Sequence, residues 1–207
     1  MEASFRVRGQ RRVKKKKLEK ALKKGASRRG AGGRPSADGR DRSIRPEKVR
    51  ELTWSEFDRL VRALARRISK TFTPEAVVGV AHGGVFVGGA LASALGCEFH
   101  PVRISRRSRD NRLRRSPRMF GRMPPELKGK RTLIVDDVAS SGDTLQLASK
   151  LALKAGAAEA LTACLVNRGG GFRPGWTGFS SLDLVIFPWD YEPVTEDRRF
   201  SVAPEKA

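Results

Sequence analysis

The chain has 207 residues, a formal net charge of +21, 39% hydrophobic residues and two cysteines. That length suits one domain plus an appendage, and no apolar run is long enough to span a membrane. The charge is uneven: residues 1–50 hold 19 Lys/Arg against 5 Asp/Glu, residues 103–131 hold 12 against 2, and the remainder is slightly acidic. The globular body is therefore not itself a basic nucleic-acid-binding domain.

Residues 1–50 have few large apolar side chains, many Gly, Arg and Lys, and the block Lys14, Lys15, Lys16, Lys17. Such a stretch cannot bury enough surface to offset its ordering entropy, so a disordered basic arm is expected, suited to contact a polyanion such as RNA or DNA. Residues 11–24 suit a helix formed on that polyanion, with Val13, Leu18 and Leu22 as a thin apolar stripe. The arm lacks the apolar core of a secretion signal, and a lysine block is not the usual transit pattern.

The body is expected over 51–207. Thr53 and Glu56 match a capping box, and Phe57, Leu60, Val61, Leu64 and Ile68 mark one helical face after it. The pattern predicts a strand over 77–81, a turn at 82–84, and a helix over 85–95 ended by Gly96. Further strands are expected over 99–104, 132–136, 161–166 and 184–187, with a helix from Leu145 towards Leu153. Alternating strands and helices imply an α/β fold with a parallel sheet and right-handed crossovers. Cys97 and Cys164 are too few for a disulfide framework and lack zinc-ligand spacing, so buried thiols in a reducing cytoplasm are expected.

The most informative run is 131–145, RTLIVDDVASSGDTL. An apolar burst, Thr132 to Val135, ends in Asp136 and Asp137, at the carboxyl end of a strand where open α/β sheets place ligands. Ser140, Ser141, Gly142, Asp143 and Thr144 then lead into a helix, presenting N–H groups, hydroxyls and a positive dipole end to an anion, best a phosphate. The two carboxylates beside it suit a diol and a divalent cation. Together they read as a sugar-phosphate pocket. A second loop, His82, Gly83 and Gly84, again follows a strand and precedes a helix, and its glycines let backbone approach an anion closely. No dinucleotide fingerprint of the G-x-G-x-x-G kind is present there.

The 131–145 run closely resembles the phosphoribosyl-pyrophosphate signature of type I phosphoribosyltransferases: strand, two acids, spacer, then Ser-Gly-x-Thr. The resemblance covers about residues 52–192, and Trp54 with Phe187, Pro188, Trp189 and Asp190 is most similar to the xanthine–guanine and hypoxanthine branch. It implies the type I phosphoribosyltransferase fold, a parallel sheet flanked by helices with a small hood. It implies that Asp136 and Asp137 hold the ribose hydroxyls, with Mg²⁺ on Asp137. The 5′-phosphate would lie on Ser140, Ser141, Gly142, Asp143 and Thr144, and the pyrophosphate on His82, Gly83 and Gly84. The Arg-rich stretch at about 105–130 would be a mobile flap; a solvated loop and a nucleic-acid contact are the other readings of its charge. The base would meet Leu184 and the Val185 carbonyl, with Asp190 near a base amino group.

Departures accompany the likeness. The family usually has Arg where this chain has His82; its purine enzymes usually have an Asp general base where it has Ser140, an aromatic where it has Leu184 and a Lys where it has Asn167, while orotate and adenine enzymes of the fold also lack that Asp. A serine hydroxyl does not act as a base near neutral pH without a partner. The expected function is Mg²⁺-dependent transfer of 5-phosphoribose from phosphoribosyl pyrophosphate to a nucleobase, a purine first, by a cytoplasmic protein in which a homodimer is an open option. The alternative is a ligand sensor or RNA-binding regulator that keeps the fold without turnover.

Overall fold

The computed structural model describes residues 48–107 and 113–191. In chain order the elements are β1 (Val49–Glu51), α1 (Trp54–Ile68), β2 (Ala76–Ala81), α2 (Gly83–Leu95), β3 (Glu98–Arg107), β4 (Leu113–Phe120), β5 (Arg131–Ala139), α3 (Asp143–Lys154), β6 (Glu159–Asn167), β7 (Trp176–Ser180) and β8 (Leu184–Ile186). They fall into two compact units: Trp54–Ser181 forms one, and the residues on either side of it form the other.

The larger unit is built on a six-stranded sheet of order β4-β3-β2-β5-β6-β7, parallel throughout except for the antiparallel β3–β4 pair. Val77, Val78 and Val80 of β2 and Leu133, Ile134 and Val135 of β5 are all buried, as expected of central parallel strands covered on both faces. Val78, Val80 and Ile134 share one apolar cluster with Leu145, Ala148 and Ala152 of α3. The alternate residues Val77, Leu133 and Val135 face the other side of the sheet, and α2 packs on β2 and β5. α1 buries Phe57, Val61, Leu64 and Ile68 on the expected face, with Leu60 half-buried. The α/β architecture with a mainly parallel sheet between helices is as the sequence implies.

Several local expectations are corrected. The segment at 184–187 is not a strand of the main sheet: β8 pairs in parallel with β1 in the second unit, Val49 opposite Leu184 and Arg50 opposite Val185. The outer parallel strand is β7, hidden in sequence because the preceding stretch 169–175 is rich in Gly and Pro and reads as loop. The arm's expected end at residue 50 falls inside β1; residues 1–47 lie outside the described residues. Within the expected flap, β3 and β4 form an antiparallel hairpin and Pro125–Leu127 a 3₁₀ turn, with 108–112 outside the described residues. Among the described residues no helix is long and apolar enough to cross a membrane.

Candidate active site

The order of the sheet reverses between β2 and β5: β3 follows β2 outward on one side and β6 follows β5 on the other. In open α/β sheets the crevice at the carboxyl ends of such a strand pair is where ligands bind. Both expected anion loops, 82–84 after β2 and 140–144 after β5, stand at that place.

Asp136 and Asp137 are both partly buried in the last part of β5. Asp136 Oδ1 accepts the N–H of Asp137 at 3.0 Å, and Asp137 Oδ1 accepts the N–H of Val138 at 2.7 Å. Burial first, and the Asp137 charge second, push the Asp136 carboxyl well above the usual carboxylate range. A cation or hydroxyl donors placed on the pair would offset that penalty.

Of the expected turn at 82–84 only His82 precedes the helix: α2 already begins at Gly83, and its first residues lie against the acids. A Cβ added to Gly83 would run into the Asp137 carboxylate, and one on Gly84 would lie 2.7 Å from the Val135 carbonyl oxygen. Glycine at Gly83 is thus what lets one loop's backbone lie directly on the other's acid. The peptide between Ala81 and His82 is cis, and His82, exposed, precedes the first turn of α2 without a side-chain cap. Arg103 of β3 pairs in register with Ala81, one residue before His82, and its guanidinium lies 5.0 Å from the Phe120 ring centroid. The Arg103 cation is thus held within the β3–β4 pair, against the ring of its cross-strand partner Phe120.

Gly142 precedes α3 in the left-handed region, φ 77° and ψ 0°, and no side chain caps the helix. The first N–H groups of α3 are thereby left for an anion. Ser141, Asp143 and Thr144 are partly buried and Ser140 is exposed. Arg106 reaches this loop from β3: its Nη2 donates to Ser141 Oγ at 2.6 Å and pairs with the Asp143 carboxylate. The chain after β6 backs the same loop. A Cβ on Gly142 would strike the Phe172 ring, and one on Gly170 would strike the Ser140 carbonyl oxygen.

Asn167 organises that backing loop. Its Oδ1 accepts the N–H of Gly169 at 3.0 Å and its Nδ2 donates to the Phe172 carbonyl at 3.5 Å. The position where the resemblance expects a base-reading lysine is occupied by a side chain committed to its own loop.

The structure thus brings His82, Gly83, Gly84, Asp136, Asp137 and the 140–144 loop to one end of one sheet. Leu184, Val185 and Asp190 belong to the second unit. There the Leu184 N–H donates to the Lys48 carbonyl at 2.8 Å, Phe187 and Trp189 stack at 4.9 Å, and Asp190 Oδ2 accepts the Phe187 N–H at 2.8 Å, closing the Phe-Pro-Trp-Asp turn. Arg106 and Phe172 were missed as individual site residues. The 169–171 glycine run was the visible hint for the backing loop, whereas nothing local to Arg106 points to Ser141, 35 residues away.

A profile of the phosphoribosyl transferase domain matches residues 52–197. The chain is 31% identical over 140 residues to the orotate phosphoribosyltransferase of Phenylobacterium zucineum (strain HLK1), spanning 66% of this chain and 68% of that protein. It is 33% identical over 126 residues to the adenine phosphoribosyltransferase of Helicobacter acinonychis (strain Sheeba), spanning 55% of this chain and 70% of that protein. Among solved structures, the purine phosphoribosyltransferase from Pyrococcus horikoshii Ot3 aligns with a TM-score of 0.62 at 30% identity, covering 72% of this chain and 98% of that one.

Proposed function

The chain belongs to the phosphoribosyl transferase family of enzymes, whose members move phosphoribose from phosphoribosyl pyrophosphate to a base, and from that premise we propose a Mg²⁺-assisted transferase with a purine acceptor. One observation carries the reading. Two anion-receptive loops follow neighbouring parallel strands, and the backbone of one lies against the acids of the other at Gly83 and Asp137. A single ligand with phosphates at both ends and a diol between them matches that arrangement.

The 140–144 loop holds the 5′-phosphate through the first N–H groups of α3 and the hydroxyls of Ser141 and Thr144. Residues 82–84, at the start of α2, hold the pyrophosphate, Gly83 and Gly84 letting the backbone approach it closely. Asp136 and Asp137 accept hydrogen bonds from the ribose hydroxyls and oppose positive charge developing at the anomeric carbon. Bond breaking to pyrophosphate and bond making to a ring nitrogen of the base then occur above the acidic pair.

Among the described residues no group of three His, Cys, Asp or Glu could hold a metal ion alone. Mg²⁺ asks for less than that: it keeps several waters and binds through one or two carboxylates plus substrate phosphates. Asp137, beside Asp136, fits that demand. When bound there, Mg²⁺ neutralises pyrophosphate charge and favours its departure.

The resemblance leaves the base-facing roles with Leu184, Val185 and Asp190. An aminopurine is the first acceptor to try, because Asn167 is engaged within its loop and offers no lysine to a 6-oxo group. Ser140 offers a hydroxyl where the resemblance expects a carboxylate, so the acceptor's proton leaves by another route.

Pyrophosphate release with adenine, hypoxanthine, guanine, xanthine and orotate tests the reading, with adenine expected to be turned over fastest. Phosphoribosyl pyrophosphate with Mg²⁺ at ~100 times its Kd should stabilise the fold by roughly 2.7 kcal/mol, seen as a raised Tm. Asp137→Asn should remove most of that shift. A shift of full size in the variant sinks the metal role, and no release with any base sinks the transferase.

A further inference from the structure

Arg106 stands where β3 and β4 fall out of step: Ser105 pairs with Arg118, Arg107 pairs with Leu113, and the register shifts between them. An irregularity of that kind re-aims a side chain and is frequent beside active sites. Here the guanidinium leaves the hairpin for the loop ahead of α3, where one nitrogen meets both the Ser141 hydroxyl, at 2.6 Å, and the Asp143 carboxylate.

The contacts have an electrostatic logic. Asp143 puts a negative charge at the first turn of α3, inside the loop assigned to a dianionic phosphate, and Asp136 and Asp137 add two more acids nearby. A phosphate is admitted only if that charge is offset. Arg106 offsets the Asp143 part. Its bond to Ser141 Oγ also has a direction: the hydroxyl accepts from the guanidinium, so its own proton is available to an acceptor elsewhere, and a hydroxyl polarised by a cation is the stronger donor.

We propose that Arg106 is a positioning residue for the sugar's 5′-phosphate, neutralising Asp143 and aiming the Ser141 proton at a phosphate oxygen. The inference rests on the transferase reading of the 140–144 loop and adds to it a residue from the sheet-edge hairpin. It makes the loop selective for a phosphate monoester held at this end of the ligand, independently of the pyrophosphate end.

Calorimetric titration of the full chain with ribose 5-phosphate, inorganic pyrophosphate with Mg²⁺, and phosphoribosyl pyrophosphate with Mg²⁺ separates the two ends. Arg106→Gln should weaken ribose 5-phosphate and phosphoribosyl pyrophosphate by about tenfold, the scale of one lost charge-assisted hydrogen bond, and change pyrophosphate by less than about twofold. Arg106→Lys, which keeps the charge without the planar fork, should fall between wild type and Arg106→Gln. Adding Asp143→Asn to Arg106→Gln should recover affinity, because the carboxylate needing neutralisation is gone. In turnover the KM for phosphoribosyl pyrophosphate should rise with kcat nearly kept. Unchanged ribose 5-phosphate affinity in Arg106→Gln, an equal loss for pyrophosphate, or a further loss on adding Asp143→Asn overturns the proposal. A wild type that shows the full Arg106 pattern but releases no pyrophosphate with any base keeps this inference and sinks the transferase. A wild type that binds no ribose 5-phosphate overturns this inference, while the transferase reading stands or falls on pyrophosphate release.

Discussion

Gly142 carries two constraints at once: a left-handed φ of 77° and a Cα covered by the Phe172 ring. Gly142→Ala should therefore cost about 1–3 kcal/mol for the backbone conformation alone, plus the displacement of the ring. Phe172→Ala on top of it should return only the steric part, so the double variant should remain less stable than Phe172→Ala by about the backbone cost, read from chemical denaturation. If Gly142→Ala is neutral, the backing loop does not press on the phosphate loop. Asn167 gives a second test at this scale. The family likeness suggests Asn167→Lys as a gain for 6-oxopurines, but the side chain holds Gly169 and Phe172. The variant should instead lose about 1–2 kcal/mol through the freed backbone groups and gain no 6-oxopurine turnover, checked by Tm and by the acceptor panel. Asp136, Asp137 and the two glycine-bearing loops were legible because each is a contiguous run whose chemistry is local. The roles of Arg106 and Asn167 were not legible, because they depend on a register slip and a loop closure that no spacing announces.

Among the elements, β6 offers a direct probe of how firmly the sheet is packed. Cys164, opposite Asp136 in the ladder, has no exposed surface, and burial pushes its thiol up to about 12. Cys97, just beyond α2 and partly exposed, is also raised by burial. At about pH 8 a small alkylating reagent should modify Cys97 slowly and Cys164 only on unfolding, read by mass spectrometry, since the thiolate is the reacting form. The stability consequence has a definite sign. A thiol whose folded pKa exceeds its unfolded value of about 8.5 contributes stability that is fully present below that pH and is lost as pH rises towards about 12. Cys164→Val should therefore flatten the alkaline loss of stability relative to wild type; equal slopes would mean that the thiol ionises alike in both states. β2, β5 and β6 were legible for the same reason that Cys164 is inert: long apolar runs buried on both faces announce themselves. β7 was missed because Trp176–Ser180 carries no such run, whereas the apolar Leu184–Ile186 was expected as a strand but assigned to the wrong sheet. Which partner each would choose is a tertiary matter, and β8 found β1 rather than the main sheet.

At the scale of the whole chain, charge and fold part company. Residues 1–50 hold 19 Lys/Arg against 5 Asp/Glu, yet the sheet, both anion loops and the acidic pair all lie beyond them. That division predicts two separable functions, with the cut placed by structure rather than by composition. Leu184 donates to the Lys48 carbonyl, Leu52 donates to Ile186, and β1 pairs with β8 between these bonds, so a truncation must stop before Lys48. Removing residues 1–47 should leave Tm and the affinity for phosphoribosyl pyrophosphate within error of the full chain. Removing residues 1–52 should lower Tm, because β8 loses its partner strand and its backbone groups lose their bonds. The shorter deletion should also weaken binding to duplex DNA or RNA. Each phosphate neutralised contributes about 0.9 to the slope of log K against log salt for duplex DNA, so losing the arm should flatten the slope by several units. The hairpin and the segment after it, whose stretch 103–131 keeps 12 Lys/Arg against 2 Asp/Glu, would supply whatever salt dependence is left. If the slope is unchanged after the arm is removed, polyanion contact belongs to that hairpin region. The arm would then lose its assignment as the polyanion-binding segment.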